Sequence, residues 1–295
     1  MSRSVRLLSV VALILVGGLN LSAVPVPDRE DRRGGVEVDL GNGVAIKFTH
    51  IPAGSFQMGS PNNQQGRGDE LLHDVEITKP FLMGVFEVTQ RQFRQLLGTN
   101  PSSFSLKGGS ANLVMGLDTD DFPVESATYA EALKFCEKLS EFPELKRLGL
   151  IADLPTEAEW EYACRAGTKT VFNFGDAMSP LHGNVRGQAP YGGAQAARSL
   201  DRTTKVGSYK PNAWGLYDMH GNVEEWVKDW TGPYNAADKK DPQGPANGGS
   251  KQLRGGAWQL DPQYARSASR DSVGADARNN IVGFRVALRF AERGR

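Results

Sequence analysis

Two carboxylates, Asp218 and Glu225, lie close together in the sequence on either side of a predicted turn. Between them, Gly221 and Asn222 permit a tight turn that directs backbone carbonyl groups inward. A set of ligands made only of oxygen atoms suits Ca²⁺, which is a hard cation. The spacing alone is more commonly that of a polar turn before a strand, so both interpretations stay open at this point.

Other reactive side chains are few. The four histidines are scattered along the chain without a His-x-x-x-His pair, which favours ordinary hydrogen-bonding roles over a metal centre. Cys136 and Cys164 each belong to the apolar stripe of a predicted helix. Buried free thiols that pack as small hydrophobic groups are therefore predicted. A disulfide between them would need Cα atoms within about 7 Å, which a sequence does not show.

Composition excludes several classes of protein. The 295 residues contain 34 basic and 34 acidic side chains, so the formal net charge is zero. The protein therefore lacks the net positive charge that would favour nucleic acid as a partner. A hydrophobic content of 39% with 23% charged residues excludes a membrane bundle and a disordered chain. Two cysteines exclude a disulfide framework as the main source of stability.

The N-terminus has the layout of a secretory signal. Arg3 and Arg6 precede an uncharged apolar run, and small residues follow it as far as Ala23. Residues 1–23 are therefore predicted to be a cleaved signal peptide, and the protein is predicted to be exported to the periplasm, the medium or the cell surface. The alternative is an N-terminal membrane anchor over Leu7–Val24. No later segment is apolar enough for a span, so no stable membrane span is expected after cleavage.

The remaining chain is predicted to form one domain. Residues 24–36 are polar and contain two prolines, which indicates a linker, and residues 37–291 are predicted to be globular. Capping-box patterns predict three helices, which begin after Thr89, Thr128 and Thr156.

Strands are harder to place than helices. Alternating apolar residues predict strands at Ala45–Ile51, Asp74–Thr78 and Val282–Phe290. Few helices and short, irregular strands joined by long loops predict an α+β fold.

Several longer motifs follow one another along the chain. They are Ile51–Ser60, Glu87–Gln90, Gly98–Ser102, Leu154–Ala163, Asn212–Val223, Arg254–Trp258 and Gly283–Val286. In these motifs the chain resembles the formylglycine-generating enzyme, or sulfatase-modifying factor, family over about residues 40–290. The resemblance implies a variant of the C-type-lectin-like fold. The founding enzymes of that family oxidise a cysteine of newly made sulfatases to Cα-formylglycine, using molecular oxygen and a copper ion held by two cysteines.

This sequence departs from the enzymes at the copper site. The resemblance places Leu260 and Ala265 at the two cysteine positions, and the whole segment Leu253–Arg295 lacks cysteine. Copper(I) requires soft ligands such as thiolates, so copper binding is not expected. Ala257 also replaces the serine that follows the paired glycines in the enzymes. Many family members lack these cysteines, and relatives on the fold serve as binding domains.

The resemblance also implies structural calcium. The positions that match the enzymes' calcium ligands are Asp218 and Glu225 through their side chains, and Gly221 and Val223 through their carbonyl groups. All four remain chemically able to bind Ca²⁺. A second calcium site is implied at Asn184, Val185 and Asp201, where a plain loop is an equally acceptable interpretation.

The sequence therefore predicts an exported, non-catalytic domain that binds a peptide, glycan or protein partner. The candidate groove is bounded by Trp258–Arg270, with Trp258, Tyr264, Arg266 and Arg270 as its candidate contact residues. Trp214, Trp226, Trp230 and Trp258 are candidates for aromatic surface there, and at least two of them are expected to lie in the core. The alternative function is a formylglycine-generating oxidase acting on sulfatase cysteines, which the missing thiols oppose.

Overall fold

The computed structural model describes residues 35–66 and 68–291. The predicted signal peptide, the alternative anchor and most of the predicted linker lie outside these residues. The first strand begins at Val36, one residue before the predicted start of the domain. Within the described residues, none of the helices has the length and apolar character needed to cross a membrane.

The described residues form eleven short strands and four α-helices. The strands are β1 Val36–Gly41, β2 Val44–Ile51, β3 Gly54–Met58, β4 His73–Ile77, β5 Phe81–Gly84, β6 Leu150–Asp153, β7 Glu224–Trp230, β8 Lys251–Arg254, β9 Asp271–Val273, β10 Val282–Gly283 and β11 Ala287–Phe290. The helices are α1 Gln90–Leu97, α2 Tyr129–Ser140, α3 Pro143–Leu148 and α4 Glu157–Arg165, with short 3-10 helices at Ala111–Leu113 and Pro262–Ala265.

The three helices predicted from capping boxes are confirmed. At Thr89, Thr128 and Thr156 the threonine side chain accepts the backbone N–H of the residue three positions later. The side chain of that later residue in turn accepts the threonine's own backbone N–H. Both contacts are local in sequence, which is why the pattern alone locates the start of each helix.

Helix α3 was not predicted. It is only six residues long, begins with Pro143, and ends at Gly149 in the left-handed conformation with φ of 65°. Proline at the start and glycine just past the end are the expected signals of a helix. Its apolar residues Leu145 and Leu148 are buried.

Two larger sheets form the framework. One has the strand order β1-β2-β5-β11-β6, the other has the order β10-β7-β8-β9, and β3 pairs with β4 separately. Strand β11 lies inside the first sheet, where Ala287 is opposite Met83 of β5 on one side and Asp153 of β6 on the other.

The predicted strand Val282–Phe290 is two strands in the structure, so its prediction as one continuous strand was wrong. Strand β10 pairs with β7 in one sheet, and β11 pairs with β5 and β6 in the other. Val282, Phe284, Val286 and Leu288 all enter the same core cluster. The alternating apolar residues thus indicated which side chains are buried, along a segment that passes from one sheet to the other.

Both faces of the five-stranded sheet are covered. Leu82 and Leu288 enter a core cluster that also contains the rings of Phe93 and Phe135 from α1 and α2. Their neighbours Met83 and Ala287 enter a second cluster with residues of α4. Successive residues of a strand point to opposite faces, so one sheet supplies both clusters.

Candidate functional site

The turn at residues 218–222 is held by unusual backbone conformations. Asp218, Gly221 and Asn222 have positive φ values of 58°, 119° and 72°. The N–H of Gly221 donates to the Gly255 carbonyl at 2.8 Å, and the N–H of Asn222 donates to the Asn184 carbonyl at 2.8 Å. A Cβ added to Gly221 would lie 2.6 Å from the carbonyl oxygen of Asn184, so only glycine fits this approach.

Asp218 is buried at this turn with one oxygen unsatisfied. Its Oδ2 accepts the backbone N–H of Gly207 at 2.6 Å, whereas Oδ1 is buried and has no hydrogen-bond partner among the described residues. Burial raises the pKa of Asp218 to about 6. A buried acceptor without a partner is costly, which makes this oxygen a candidate for binding a cation or a water molecule.

The carboxylate of Glu225 already has a partner of opposite charge within the protein, Arg285. Nε of Arg285 donates to its two oxygens at 2.9 and 2.7 Å, and Nη2 of Arg285 donates at 2.6 Å. The indole N–H of Trp160 donates to the same carboxylate at 2.7 Å. The structure therefore places Glu225 in a buried ion pair, and it would have to leave Arg285 in order to bind a metal ion.

A third carboxylate, Glu87, lies beside this pair and was missed by sequence reasoning. It accepts the side-chain N–H of Asn222 at 2.9 Å and the backbone N–H of Val223 at 3.3 Å. Burial, together with the charges of Asp218 and Glu225, raises the pKa of Glu87 well above its usual range. Glu87 and Arg285 both belong to motifs that carried the resemblance, but nothing local in sequence indicates that they meet.

Of the second predicted calcium set, Asn184 and Val185 both lie beside Gly221, but Asn184 alone brings a polar side chain to the turn. Its Nδ2 donates to Asn222 Oδ1 at 3.0 Å, while its own Oδ1 is buried without a partner in the described part of the chain. Val185 packs in an apolar cluster, and Asp201 is exposed.

Asn184, Asp218 and Gly221 line one void of about 10 Å³, which is close to the space that a single water molecule needs. Two oxygen acceptors without partners suit a hard cation. The donor set thus fits calcium in part, through the side chain of one residue from each predicted set, Asp218 and Asn184, and without Glu225. No group of three His, Cys, Asp or Glu side chains within residues 35–66 and 68–291 is arranged to hold a metal ion.

The positions of the missing cysteines are filled by packed apolar groups. Ala265 is fully buried, and Leu260 is partly buried against the main core cluster. A Cβ added to Gly256 would lie 2.8 Å from the Cα of Ala265, so the two backbone segments are in close contact. Ala257 is also fully buried.

The buried His220 is hydrogen-bonded to the backbone of Ala265. Nε2 of His220 accepts the Asn173 N–H at 3.0 Å, so the proton is on Nδ1, which donates to the Ala265 carbonyl at 2.7 Å. Burial lowers the pKa of His220 to about 4, which keeps the ring neutral. Sγ of Cys164 lies 3.6 Å from Nε2, but burial raises the pKa of that thiol to about 12. This pair is therefore neutral and lacks a thiolate nucleophile.

Both cysteines are buried free thiols, as the helix stripes predicted. Burial raises the pKa of Cys136 as well. Neither thiol is suited to replace a copper ligand, since binding a soft metal ion requires the deprotonated form.

The candidate groove residues differ in exposure. Tyr264 is 45% exposed, and Trp258 is partly buried with its ring at right angles to Phe104, 5.2 Å between centroids. Arg266 is buried and bound to Glu70, and the guanidinium of Arg270 donates to Glu157 at 2.7 and 2.9 Å. Both arginines are thus occupied within the protein. Of the four tryptophans named for the groove, Trp226 is fully buried and the other three are partly buried.

An exposed apolar loop lies beside Trp258. The loop, residues 105–117, contains the first 3-10 helix, and residues flanking or within it, Phe104, Val114 and Phe122, form a small cluster against the Trp258 ring. Four of its apolar side chains are exposed, namely Leu106, Leu113, Met115 and Leu117, with Met115 at 79%. We call residues 105–117 the apolar loop.

Comparisons with known proteins agree with this architecture. Residues 44–290 match the model of the sulfatase-modifying factor enzyme 1-like domain. The chain is 32% identical over 262 residues to the serine/threonine-protein kinase pkn1 of Chlamydia pneumoniae, an alignment that covers 83% of this chain but only 38% of the kinase. It is 29% identical over 300 residues to the inactive C-alpha-formylglycine-generating enzyme 2 of Bos taurus, covering 85% of this chain and 90% of that protein.

Solved structures show the same fold. PvdO from Pseudomonas aeruginosa superimposes with a TM-score of 0.68 at 29% identity, and Treponema denticola variable protein 1 with a TM-score of 0.69 at 25% identity. Each alignment covers 86% of this chain and 98% of the other. The predicted α+β fold of the formylglycine-generating enzyme type is confirmed. Because the family model matches most of its length, the chain belongs to the sulfatase-modifying factor enzyme 1-like domain family.

Proposed function

We propose that this domain is a non-catalytic member of its family that binds a polypeptide partner. The observation that carries the proposal is the absence of cysteine from Leu253–Arg295, where the family's enzymes hold copper. The two cysteines elsewhere in the chain are buried with raised pKa values, which supports the same conclusion. The relative named as an inactive formylglycine-generating enzyme 2 indicates that such members exist.

The binding surface that we propose is the apolar loop with the partly buried Trp258 that packs against it, extended to the exposed Tyr264 of the candidate groove. Monomeric proteins rarely expose large contiguous apolar patches, and those that do commonly bind other proteins there. The small cluster behind the loop holds it against the body of the domain, so the exposed side chains are presented on a supported backbone. Lys107 is the single charged residue between Leu106 and Leu117, which favours a polypeptide with apolar side chains over a glycan.

Calcium is a second part of the proposal. The unsatisfied oxygens of Asp218 and Asn184 support a cation at the void between these residues. Such an ion would neutralise charge in a region that already contains three buried carboxylates, Glu87, Asp218 and Glu225, and a single guanidinium. We also propose that the domain acts outside the cytoplasm, on the basis of its first 23 residues.

Catalysis is tested by incubating the protein with copper(I), oxygen and a Cys-x-Pro-x-Arg peptide and then measuring the peptide mass. No conversion of the cysteine to formylglycine is expected. Metal-dependent turnover would contradict the proposal and establish the oxidase alternative.

Binding is tested by selecting a displayed peptide library on the wild type and on the double variant Leu113→Ser/Met115→Ser. Peptides with apolar side chains are expected to be enriched by the wild type and not by the variant. Ile151→Ser is the matched control, because this residue is also about half exposed but lies outside the loop. Selection that is unaffected by the double variant, or binding to a glycan array instead, would contradict the proposed surface.

A further inference from the structure

A separate pocket of about 230 Å³ opens where β7 ends and α4 begins. The loop that follows β7 closes it, and this loop contributes Pro233, Pro242 and Pro245 to the rim. Met58 and Ala158 supply apolar wall, and Asp229 and Asp238 supply carboxylates. A concave site with apolar walls and a few polar groups is the usual form of a small-molecule or side-chain binding site.

Asp229 lies in this pocket, and a hydrogen bond from the described residues reaches one of its two carboxylate oxygens. The residue is 4% exposed, and its Oδ2 accepts the N–H of Glu157, the first residue of α4, at 2.8 Å. The Glu157 N–H is the one hydrogen-bond donor found on Asp229 among the described residues, and it goes to Oδ2 rather than Oδ1. Gly244 lies beside Oδ1, since a Cβ added at this position would lie 2.9 Å from that oxygen. A carboxylate this deeply buried with an open oxygen normally has a partner.

The cations around the pocket are engaged elsewhere. Arg270 donates to Glu157 at 2.7 and 2.9 Å and lies over the Tyr234 ring, 3.9 Å from its centroid. Arg254 is also directed to Glu157, at 3.7 Å. Lys251 donates to the Lys228 carbonyl and lies against two aromatic rings, without an ion pair to Asp229. The pocket therefore has an excess of negative charge at Asp229 and Asp238.

We propose that this pocket binds a primary ammonium group on an alkyl chain, with Asp229 as its buried counter-ion. An ammonium group has three donors in a compact shape, so it can satisfy the open oxygen of Asp229 and also face Asp238. The apolar walls at Met58 and Ala158 suit the methylene chain behind the charge. Burial and the charge of Glu157 raise the pKa of Asp229 to about 7, which agrees with an anion that lacks its partner.

The chemistry is shared by the side chain of a lysine in a polypeptide and by a free alkylamine. The inference does not depend on the proposed function, because the pocket shares no residue with the apolar loop, Tyr264 or Trp258.

Calorimetric titration of the full protein at about pH 8 tests the inference. The probes are Nα-acetyl-lysine amide and butylamine, with Nα-acetyl-norleucine amide as a neutral control of similar shape. The two ammonium probes are expected to bind at least about tenfold more tightly than the neutral one. A tighter lysine amide identifies a polypeptide ligand, and a tighter butylamine identifies a free amine.

Two variants and one control complete the design. Asp229→Asn can still accept the Glu157 N–H, and it is expected to weaken ammonium binding at least tenfold. Asp238→Asn removes an exposed carboxylate that lines the pocket, so it should fold normally and weaken binding about threefold. Asp261→Asn, which alters an acid paired with Arg186 away from the pocket, should have no effect. Equal binding of the neutral probe, or ammonium binding unchanged in both pocket variants, would overturn the inference.

Discussion

Replacing Arg266 with methionine tests whether this candidate groove residue is structural. Arg266 is 1% exposed and its partner Glu70 is 2% exposed. Its two terminal nitrogens donate to the two carboxylate oxygens of Glu70 at 2.8 and 2.7 Å. The guanidinium also donates to the carbonyl groups of Gln263 and Gly66 at 2.7 and 2.5 Å. Arg266→Met would leave Glu70 buried without its cation.

Removal of one partner from a buried ion pair costs about 3–5 kcal/mol, because the remaining charge is uncompensated. We expect Arg266→Met to lower the free energy of unfolding by this amount near pH 7. For a domain of this size the melting midpoint should fall by at least about 6 °C.

The effect of the substitution should depend on pH. Burial alone would raise the pKa of Glu70, but hydrogen bonds from Arg266 and Ser60 hold it below its ordinary value of 4.5. The stability supplied by the ionised carboxylate is therefore present above pH 4.5 and is lost as the pH falls through the lowered pKa. The difference between wild type and Arg266→Met should shrink in acid for the same reason.

Urea unfolding near pH 7 and in acid, below pH 4.5, is the assay. Arg278→Met is the control, because it removes a partly exposed ion pair with Glu131 and should cost less than about 1 kcal/mol. The double variant Glu70→Met/Arg266→Met removes both charges and should be more stable than Arg266→Met alone. If Arg266→Met costs no more than the control, or if the double variant is the less stable of the two, the assignment of a structural ion pair is refuted.

Three further predictions concern calcium, a buried acid and export. At a hundredfold excess over its Kd, Ca²⁺ should stabilise the wild type by about 2.7 kcal/mol and should not stabilise Asp218→Ala. Thermal melting with calcium and with chelator measures this difference. A wild-type melting midpoint that does not respond to chelator contradicts the calcium site. Burial raises the pKa of Glu125 from 4.5 to about 7, so in the folded protein Glu125 keeps its proton at pH values where the unfolded chain has lost it. The free energy of unfolding therefore falls as the pH rises from 4.5 to about 7. Glu125→Gln should therefore raise the free energy of unfolding by up to about 3 kcal/mol at about pH 8 and change it little below pH 4.5, which chemical unfolding across this range would check. Protein recovered from an expressing host should begin near Val24 on N-terminal sequencing, and a full-length chain retained in the membrane would instead identify an anchor.

Local contacts explain what the sequence predicted well. Each capping box joins residues three positions apart, so Thr89, Thr128 and Thr156 located three helices without knowledge of the fold. The buried thiols were likewise predicted from the apolar stripes of their own helices.

Long-range pairing explains what the sequence did not predict. Arg266 was predicted to be a contact residue of the groove. Its partner Glu70 lies almost two hundred positions earlier in the chain, so nothing local in sequence indicates this ion pair. Glu225 was expected to bind calcium, whereas Arg285 and Trp160, each about sixty positions away, occupy its oxygens. A sequence shows that a charged residue exists, but only the fold shows which opposite charge it meets.

The position of β11 inside its sheet has a consequence for synthesis of the chain. β5 and β6 each pair with β11, yet more than 130 residues separate β6 from it, so both strands leave the ribosome long before their shared neighbour. At about 5–20 residues per second, that interval is on the order of ten seconds. During this time the facing edges of β5 and β6 lack a partner, and unpaired edges readily join other chains. The nascent domain therefore completes its sheet only after β11 has left the ribosome, and until then the two edges remain open to pairing with other chains.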